Sequence, residues 1–339
     1  GYGRFGGRRD KLSWQGSVSF DQAERFERQL GDRADYYTSM EDADLSTRFV
    51  RAHGNLSIRP EDKVHLGFSG GASYGFNSFL GLGVFREFGM RGIHSNLRAD
   101  LQIGGFGLRS FWNHSNAEAG PVWQRVGDRD LLSDIETHTL DVEALYSGTE
   151  FTGPLRHDLA VGGGYRLKSV DWEFLSTQQL EQHFFGFIED RLTFRPDVSL
   201  VAGFRFDQHH LVGFTPSPRF SLLLKPTEGQ LVRLSAGTAF RNPAFLESYA
   251  DLLLPSGVVS GVGLHAQGNV DLRPEQIAAV QVGYSFEESP YFSFGVETYY
   301  QQVRDLIQVG GLDGGSGPPS RDGELFVSGS SQFQNDPTL

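Results

Sequence analysis

The residues of this chain that could do chemistry are a glycine-flanked serine and a group of histidines. Gly67, Ser69 and Gly71 fit the G-x-S-x-G pattern that carries the nucleophile of many hydrolases. That nucleophile needs a sharp turn from a strand into a helix, whereas Ser69 lies where apolar and polar residues alternate without interruption. We therefore interpret the pattern as part of a strand and assign no hydrolase function to it.

The histidines could bind a metal ion, because His183 and the adjacent pair His209 and His210 accompany Asp207. Adjacent residues of a strand point to opposite faces, so the pair cannot ligate one ion unless the strand bends. We predict a solvated pair at a strand end instead. The glycine-rich segment 310–317 lacks the lysine and helix of a phosphate loop. The sequence thus indicates no enzyme: no catalytic residue, no metal ligand and no cofactor.

The composition excludes several other classes of protein. The 339 residues carry a net charge of −12, which argues against a nucleic-acid partner because such binding needs a basic surface. The absence of cysteine excludes disulfides and thiolate metal sites. No run of 18 apolar residues occurs, which excludes membrane-spanning helices. With 43 glycines and 13% aromatic residues, the chain suits a soluble all-β protein or a membrane β-barrel equally well.

Alternation of apolar and polar residues predicts about thirteen strands. Trp14, Val18 and Phe20, for example, share one face while serines and a glutamine share the other. The predicted strands of about 9–12 residues exceed the common globular length of about 5–6 and match the 9–11 of a tilted membrane strand. They lie at about 12–20, 50–58, 64–74, 93–103, 106–114, 137–147, 158–168, 180–190, 198–206, 218–225, 230–240, 276–286 and 292–300.

Short and long connections alternate along the chain. This is typical of an antiparallel meander with tight turns at one end and long loops at the other, as in outer-membrane barrels. Greek-key sandwiches mix the two kinds at both ends. The tight turns are predicted at 59–62, 195–197, 226–229 and 287–290, and the long loops at 21–46, 76–92, 115–136, 241–275 and 304–324.

The apolar face is rich in aromatic residues near the predicted strand ends, as the aromatic girdles of a membrane barrel require. A half-exposed sheet in a soluble protein shows the same alternation, so a soluble β-protein remains an alternative. The aromatic residues concerned are Trp14, Phe20, Tyr74, Phe206, Tyr284 and Tyr300.

Five short motifs follow one another between residues 180 and 310. They are G-x-R-x-D at Gly203, Arg205 and Asp207; S-P-R at Ser217, Pro218 and Arg219; A-F-R-x-P…E at Ala239, Phe240, Arg241, Pro243 and Glu247; G-N-x-x-L-x-P-E at Gly268, Asn269, Leu272, Pro274 and Glu275; and Arg304-Asp305-Leu306-Ile307 after an aromatic strand. In this order and spacing they resemble the barrel of TonB-dependent outer-membrane receptors. We expect these motif residues to be structural.

The resemblance implies an all-β fold: an antiparallel up-and-down transmembrane β-barrel, of which this chain would supply roughly 13–14 strands of a larger barrel of about 22. We expect residues 1–339 to form one domain, incomplete at both ends and without the globular plug of the family. The implied location is the outer membrane of a Gram-negative cell. The implied partners are outer-membrane lipid and lipopolysaccharide, and the TonB complex through an N-terminal region that this chain lacks.

By the same resemblance, the chain is predicted to serve the energy-coupled import of a large, scarce nutrient, such as a metal–siderophore chelate or cobalamin. A passive porin-like channel and a soluble β-sandwich that binds carbohydrate remain alternatives. Loops 21–46 and 115–136 carry net charges of −5 and −3, which would disfavour a strongly anionic ligand, although such charges also serve solvation. The predicted ligand-contacting residues are Tyr36, Tyr37, Trp123, Arg241 and Tyr249.

Overall fold

The computed structural model of this protein consists almost entirely of strands. It describes residues 1–24, 45–82, 85–121, 125–126, 129–130, 133–255, 262–289, 291–310, 320–322 and 325–336. The strands are β1 (Tyr2–Arg9), β2 (Leu12–Glu24), β3 (Leu45–Glu61), β4 (Val64–Leu82), β5 (Phe85–Ile103), β6 (Phe106–Pro121), β7 (Arg125–Val126), β8 (Arg129–Asp130), β9 (Ser133–Thr152), β10 (Leu155–Trp172), β11 (Gln179–Arg195), β12 (Val198–His209), β13 (Gly213–Leu224), β14 (Gln230–Arg241), β15 (Asp251–Pro255), β16 (Val262–Gln267), β17 (Glu275–Ser289), β18 (Phe292–Arg304), β19 (Ile307–Val309), β20 (Ser320–Asp322) and β21 (Leu325–Asn335). One helix, α1 (Phe245–Tyr249), follows β14.

Fourteen strands form one continuous antiparallel sheet in which each strand pairs with the next along the chain. The order runs from β1 to β6, then from β9 to β14, and ends with β17 and β18. Among the described residues β1 and β18 pair on one side only, so the sheet curves as a barrel wall that is not closed. The all-β, up-and-down architecture predicted from the alternation is confirmed.

The thirteen predicted strands all occur in this sheet, and the fourteenth is β1. The alternation missed β1 because Gly3, Gly6 and Gly7 leave few side chains to reveal it. The sheet strands have 8–20 residues rather than the predicted 9–12. The predicted loop at 76–92 is wrong, since β4 and β5 continue to Leu82 and from Phe85. Backbone hydrogen bonds between these two strands continue beyond the residues whose side chains alternate between apolar and polar, so the sequence pattern ends before the strands do.

The two ends of the sheet differ as predicted, except that β4–β5 and β12–β13 are joined at the end predicted to carry long loops by only two and three residues. At one end, here called the turn end, β1–β2, β3–β4, β5–β6, β9–β10 and β11–β12 are each joined by two residues. Asp10, Gly104 and Gly153 have positive φ there, as tight turns require. The opposite end, here called the loop end, carries the connections that contain α1 and a second, smaller sheet of β15, β16, β19, β20 and β21. Strand β21 near the end of the chain pairs in this small sheet and does not extend the large one.

The large sheet has an apolar face and a polar face, because residues opposite one another in the register share a side. On the apolar face Trp14, Phe68, Phe204 and Phe294 have 43–49% of their surface exposed. A sandwich would bury these side chains under a second sheet, so the soluble-sandwich alternative does not describe this fold.

The hydrophobic core lies at the loop end, on the polar-face side of the sheet. It joins residues from the ends of three strands to α1 and the segment after β10. No helix among the described residues combines the length and hydropathy needed to cross a membrane. The core consists of Phe88, Ala119, Trp172, Leu175, Tyr249 and Ala250.

Candidate functional site

The polar face of β9–β12 carries a ribbon of charged residues just below the loop-end core; we call it the polar wall. The register places Asp141 opposite Arg166, Arg166 opposite His183, and His183 opposite His209, so four neighbouring strands contribute adjacent side chains. Two positions along, Lys168 lies opposite Glu181. The polar wall comprises Asp141, Arg166, Lys168, Glu181, His183, Arg205, Asp207 and His209.

Asp207 is the most deeply buried charge of the polar wall, with 1% of its surface exposed. Arg205 donates to both of its oxygens, from Nε to Oδ2 over 2.7 Å and from Nη2 to Oδ1 over 2.6 Å. His183 Nε2 donates to Oδ1 over 2.7 Å. The Arg205 guanidinium also stacks 4.3 Å above the ring of Phe185. These contacts compensate the burial of the carboxylate, which would otherwise be strongly unfavourable.

Glu181 is the second buried acid, at 3% exposure. Its Oε2 lies 3.5 Å from His209 Nε2 and 3.8 Å from Lys168 Nζ. The backbone N–H of Leu211 donates to His209 Nδ1, which leaves the ring proton on Nε2, facing Glu181. Oε1 of Glu181 is buried without a hydrogen-bond partner among the described residues. The polar wall therefore offers one acceptor that a donor group could still occupy.

The prediction of a solvated histidine pair at 209–210 is wrong for His209, whereas His210 is exposed as predicted. His209 is 4% exposed, and its ring centroid lies 4.9 Å from that of His210. The two rings lie close together because β12 ends at His209. His210 belongs to the turn, where successive side chains no longer point to opposite faces. His210 Nε2 lies 3.1 Å from the hydroxyl of Tyr249, which joins the polar wall to α1.

Burial shifts the acid–base behaviour of this junction. The pKa of Tyr249 is raised to about 12 by its burial and by the negative charge of Glu181, so its hydroxyl stays protonated and donates to His210. The pKa of His210 is lowered by burial and by neighbouring His209, against the opposing effect of Glu181. Both shifts favour the neutral forms that make this hydrogen bond.

The motif glycine Gly203 provides room for Arg219 across the β12–β13 pair. A Cβ atom at Gly203 would lie 3.0 Å from both Cγ and Nε of Arg219, which crosses this position to form an ion pair with Glu189. Pairing of β13 with β14 ends at Arg219, next to Pro218, which has no N–H to donate to the ladder. Where these strands diverge there is a cavity of about 540 Å³, lined by His183, Phe187, Gly203, Arg205, Asp207 and Phe240 among others.

The motifs A-F-R-x-P…E and G-N-x-x-L-x-P-E contact each other at Arg241, at the loop end of the sheet. Its guanidinium donates to Glu275 over 2.6 and 2.8 Å and to Glu247 over 2.9 and 3.0 Å. Glu247 also accepts the backbone N–H of Ala244, and Glu275 accepts that of Ile307. This group, here called the arginine knot, fixes α1 to the ends of β14 and β17. Pro243 and Pro274 flank it, just after β14 and just before β17.

The glycine and asparagine of the fourth motif hold α1 from the other side. A Cβ atom at Gly268 would lie 2.4–2.5 Å from backbone atoms of Tyr249 and Ala250, so only glycine fits there. Asn269 donates its backbone N–H to Glu247 O over 2.9 Å and its side-chain amide to Phe333 O over 3.1 Å. The motif thereby connects α1 to the small sheet.

The predicted ligand-contacting residues fall into two groups. Tyr36, Tyr37 and Trp123 lie outside the described residues. Arg241 makes the ion pairs of the arginine knot, and Tyr249 is 8% exposed in the loop-end core. Every contact described here for these two is internal, and ligand contact stays a prediction. Glu181, Asp141 and Arg166 were not predicted as site residues. The available signal was the hairpin register around the predicted turn at 195–197, which sets His183 against His209.

Comparison with known proteins gives the same architecture. Residues 2–337 match a family model described as TonB-dependent receptor-like, β-barrel. The solved siderophore receptor PirA from Pseudomonas aeruginosa superposes with a TM-score of 0.72 at 16% identity, over 98% of this chain and 56% of that one. The hemophore receptor HasR from Serratia marcescens gives 0.68 at 11% identity, over 99% and 56%. The ferrienterobactin receptor of Escherichia coli K12 is 23% identical over 128 residues, 37% of this chain and 17% of that protein. The chain thus spans about half the length of the solved receptors it matches.

Proposed function

The chain belongs to the TonB-dependent receptor β-barrel family, and from this premise we propose that it forms the barrel segment of an outer-membrane receptor. Its cargo would be a large, scarce nutrient taken up by energy-coupled transport. The relatives that match it are receptors for siderophores or for a haem carrier, which supports a metal chelate over cobalamin. The observation that carries the proposal is the contrast between the two faces of the fourteen-stranded sheet.

We place the apolar face against outer-membrane lipid and lipopolysaccharide. Its exposed side chains include Val18, Tyr74, Ile93, Phe220 and Val280, which have 50–58% of their surface exposed. Exposing so continuous an apolar surface to water is unfavourable in free energy, whereas contact with lipid hydrocarbon is not. Antiparallel pairing satisfies the backbone groups that lipid cannot.

We place the polar wall in the lumen, below the mouth through which a ligand would enter. The free oxygen of Glu181 and the cavity beside Asp207 would face that path. The unpaired oxygen of Glu181 suits a hydrogen-bond donor on the ligand. Tyr36, Tyr37 and Trp123 are proposed to contact ligand from the loops. Arg241 and Tyr249 are proposed to position the loop-end segment beneath it.

Transport measurements test this proposal. The full-length protein would be expressed in a Gram-negative strain lacking its own receptors, and uptake of ferric siderophores, haem and cobalamin would be compared with and without the TonB complex. We expect saturable uptake of a ferric chelate that requires the complex. Uptake that is independent of TonB would favour the passive channel. A protein that fractionates as soluble without detergent would contradict the membrane assignment.

A further inference from the structure

One cluster of metal-ligating side chains lies outside the polar wall, on the opposite face of the sheet. His114 in β6 and His138 in β9 face each other in the register, and Glu136 lies two residues before His138 on the same side. They share this side with Trp112, which belongs to the apolar face. The Trp112 ring stacks on both imidazoles, at centroid distances of 5.6 and 6.0 Å. An aromatic–histidine group therefore borders the apolar face toward the loop end.

The three ligand-type side chains converge. One donor atom from each of His114, Glu136 and His138 lies within 4.8 Å of the others, and His138 Nε2 is 3.3 Å from Glu136 Oε1. The two imidazole rings stack at 4.5 Å with an angle of 18° between their planes. Side chains of His138 and Glu136 are 43% and 51% exposed, so an ion could reach them from outside the sheet.

The orientation of His114 also suits a ligand. Its Nδ1 lies 3.3 Å from the carbonyl oxygen of Thr137. A proton donated from Nδ1 to that carbonyl leaves Nε2 unprotonated, which is how backbone carbonyls fix the tautomer of metal-binding histidines. On the polar face of this region, by contrast, His94 pairs with the hydroxyl of Ser115 over 2.8 Å. A hydroxyl group can either donate or accept a hydrogen bond, so it does not fix the tautomer of the imidazole as a carbonyl does.

We propose that His114, His138 and Glu136 form a binding site for a divalent transition-metal ion on the outward, apolar side of the sheet. Two imidazoles and a carboxylate select Zn²⁺, Ni²⁺ or Cu²⁺ over Mg²⁺ and Ca²⁺, which prefer oxygen ligands. Tetrahedral Zn²⁺ at about 2.0–2.1 Å from its ligands requires donor atoms roughly 3.3 Å apart. Side-chain rotation would have to bring the donor atoms from within 4.8 Å to this spacing, and the pairing of β6 with β9 already holds the two backbones together. The fourth position faces away from the sheet, open to water or a headgroup oxygen.

Trp112 provides the readout. Full-length protein without a polyhistidine tag would be titrated in detergent with Zn²⁺ by calorimetry and with Cu²⁺ by tryptophan fluorescence. We expect one saturable Zn²⁺ site per protein, with no competition from Mg²⁺. Bound Cu²⁺ should quench the fluorescence of Trp112. Trp112→Phe is expected to retain Zn²⁺ binding while losing most of the Cu²⁺ quenching. Acidification should release the metal, because protons compete for the imidazole nitrogens.

Single substitutions decide the assignment. His114→Ala and His138→Ala should each weaken Zn²⁺ binding more than about tenfold, the lower end of what loss of even an outer-shell partner costs. Glu136→Gln should also weaken it. His94→Ala, on the opposite face of the neighbouring strand, should leave it unchanged. Heat-modifiable migration would verify folding, with His114→Gln replacing a variant that does not fold. Equal Zn²⁺ affinity in the wild type and His114→Gln, or equal weakening by His94→Ala, would overturn the proposal.

Discussion

The chain forms the same local ion pair in two regions of the polar face with very different surroundings. In β5, Arg98 donates to both oxygens of Asp100 over 2.7 and 2.8 Å. In β12, Arg205 donates to both oxygens of Asp207 over 2.7 and 2.6 Å. Both are R-x-D sequences, in which residues two apart in a strand share a face. The Asp100 side chain is 30% exposed, whereas that of Asp207 is 1% exposed and receives a third donor from His183.

The comparison shows that one sequence pattern can serve two purposes. A water-exposed pair contributes at most about 1 kcal/mol to stability. A buried carboxylate depends on every partner, because its desolvation must be compensated. The difference arises from neighbouring strands, since Asp207 is opposite Phe185 on one side and Thr215 on the other, whereas Asp100 is opposite Gly67.

Removing one carboxylate charge at each of the two positions tests whether burial makes the difference. We expect Asp207→Asn to lower the free energy of unfolding by about 3–5 kcal/mol, because Arg205 and His183 lose a buried counter-charge. Asp100→Asn should lower it by no more than about 1 kcal/mol. Urea unfolding in detergent or lipid vesicles would measure both. Equal effects at the two positions would contradict the role assigned to burial.

The arginine knot should show the next largest effect. Arg241→Lys keeps the charge but cannot donate pairwise to Glu247 and Glu275, so we expect a loss of about 1.5–3 kcal/mol. Arg233→Lys is the matched control, because its partner Glu297 is 50% exposed; its effect should stay below about 1 kcal/mol. Limited proteolysis would report the same difference locally, with faster cleavage near α1 in Arg241→Lys only.

Two glycines on the polar face differ in the same way, and the expected effect of substituting them is smaller. Gly203→Ala would place its Cβ 3.0 Å from Arg219, which must shift and loosen its pair with Glu189, and we expect a loss of about 1 kcal/mol. At Gly283 the nearest atoms, from Arg233, are 3.9–4.0 Å away. Gly283→Ala should therefore be neutral or slightly stabilising. A comparable loss at Gly283 would show that Arg219 is not the cause.

The smallest expected effect is a pH dependence at the junction with α1. The pKa of His210 is lower in the folded protein than in the unfolded chain. As the pH falls below about 6.5, the unfolded chain therefore binds a proton at this histidine before the folded protein does. Stability is therefore complete above about pH 6.5 and falls as the pH drops below it. Unfolding midpoints between pH 8 and pH 5 would measure this, with His210→Asn as the control. A slope that persists unchanged in His210→Asn would assign the effect to other groups.

The alternation alone was enough to predict most of the sheet. It located thirteen of the fourteen strands, and the tight turns at 59–62 and 195–197 fall at the turn end. It failed at β1, where glycines hide the period, and at 76–92, where pairing continues past the alternating stretch. The motifs around Arg241 and Glu275 were identified by resemblance. Their ion pairs depend on segments 34 residues apart meeting at one end of the sheet.

The sequence by itself determined the strand period, the two-faced character of the sheet and the family, because these depend on residue spacing within one strand or turn. Tertiary structure decided which charges are buried. Asp207 differs from Asp100, and His209 from a solvated histidine, only through the strands and the helix packed against them. The burial of a side chain depends on contacts with segments that are distant in the sequence. The spacing of residues within one strand does not show which segments these are.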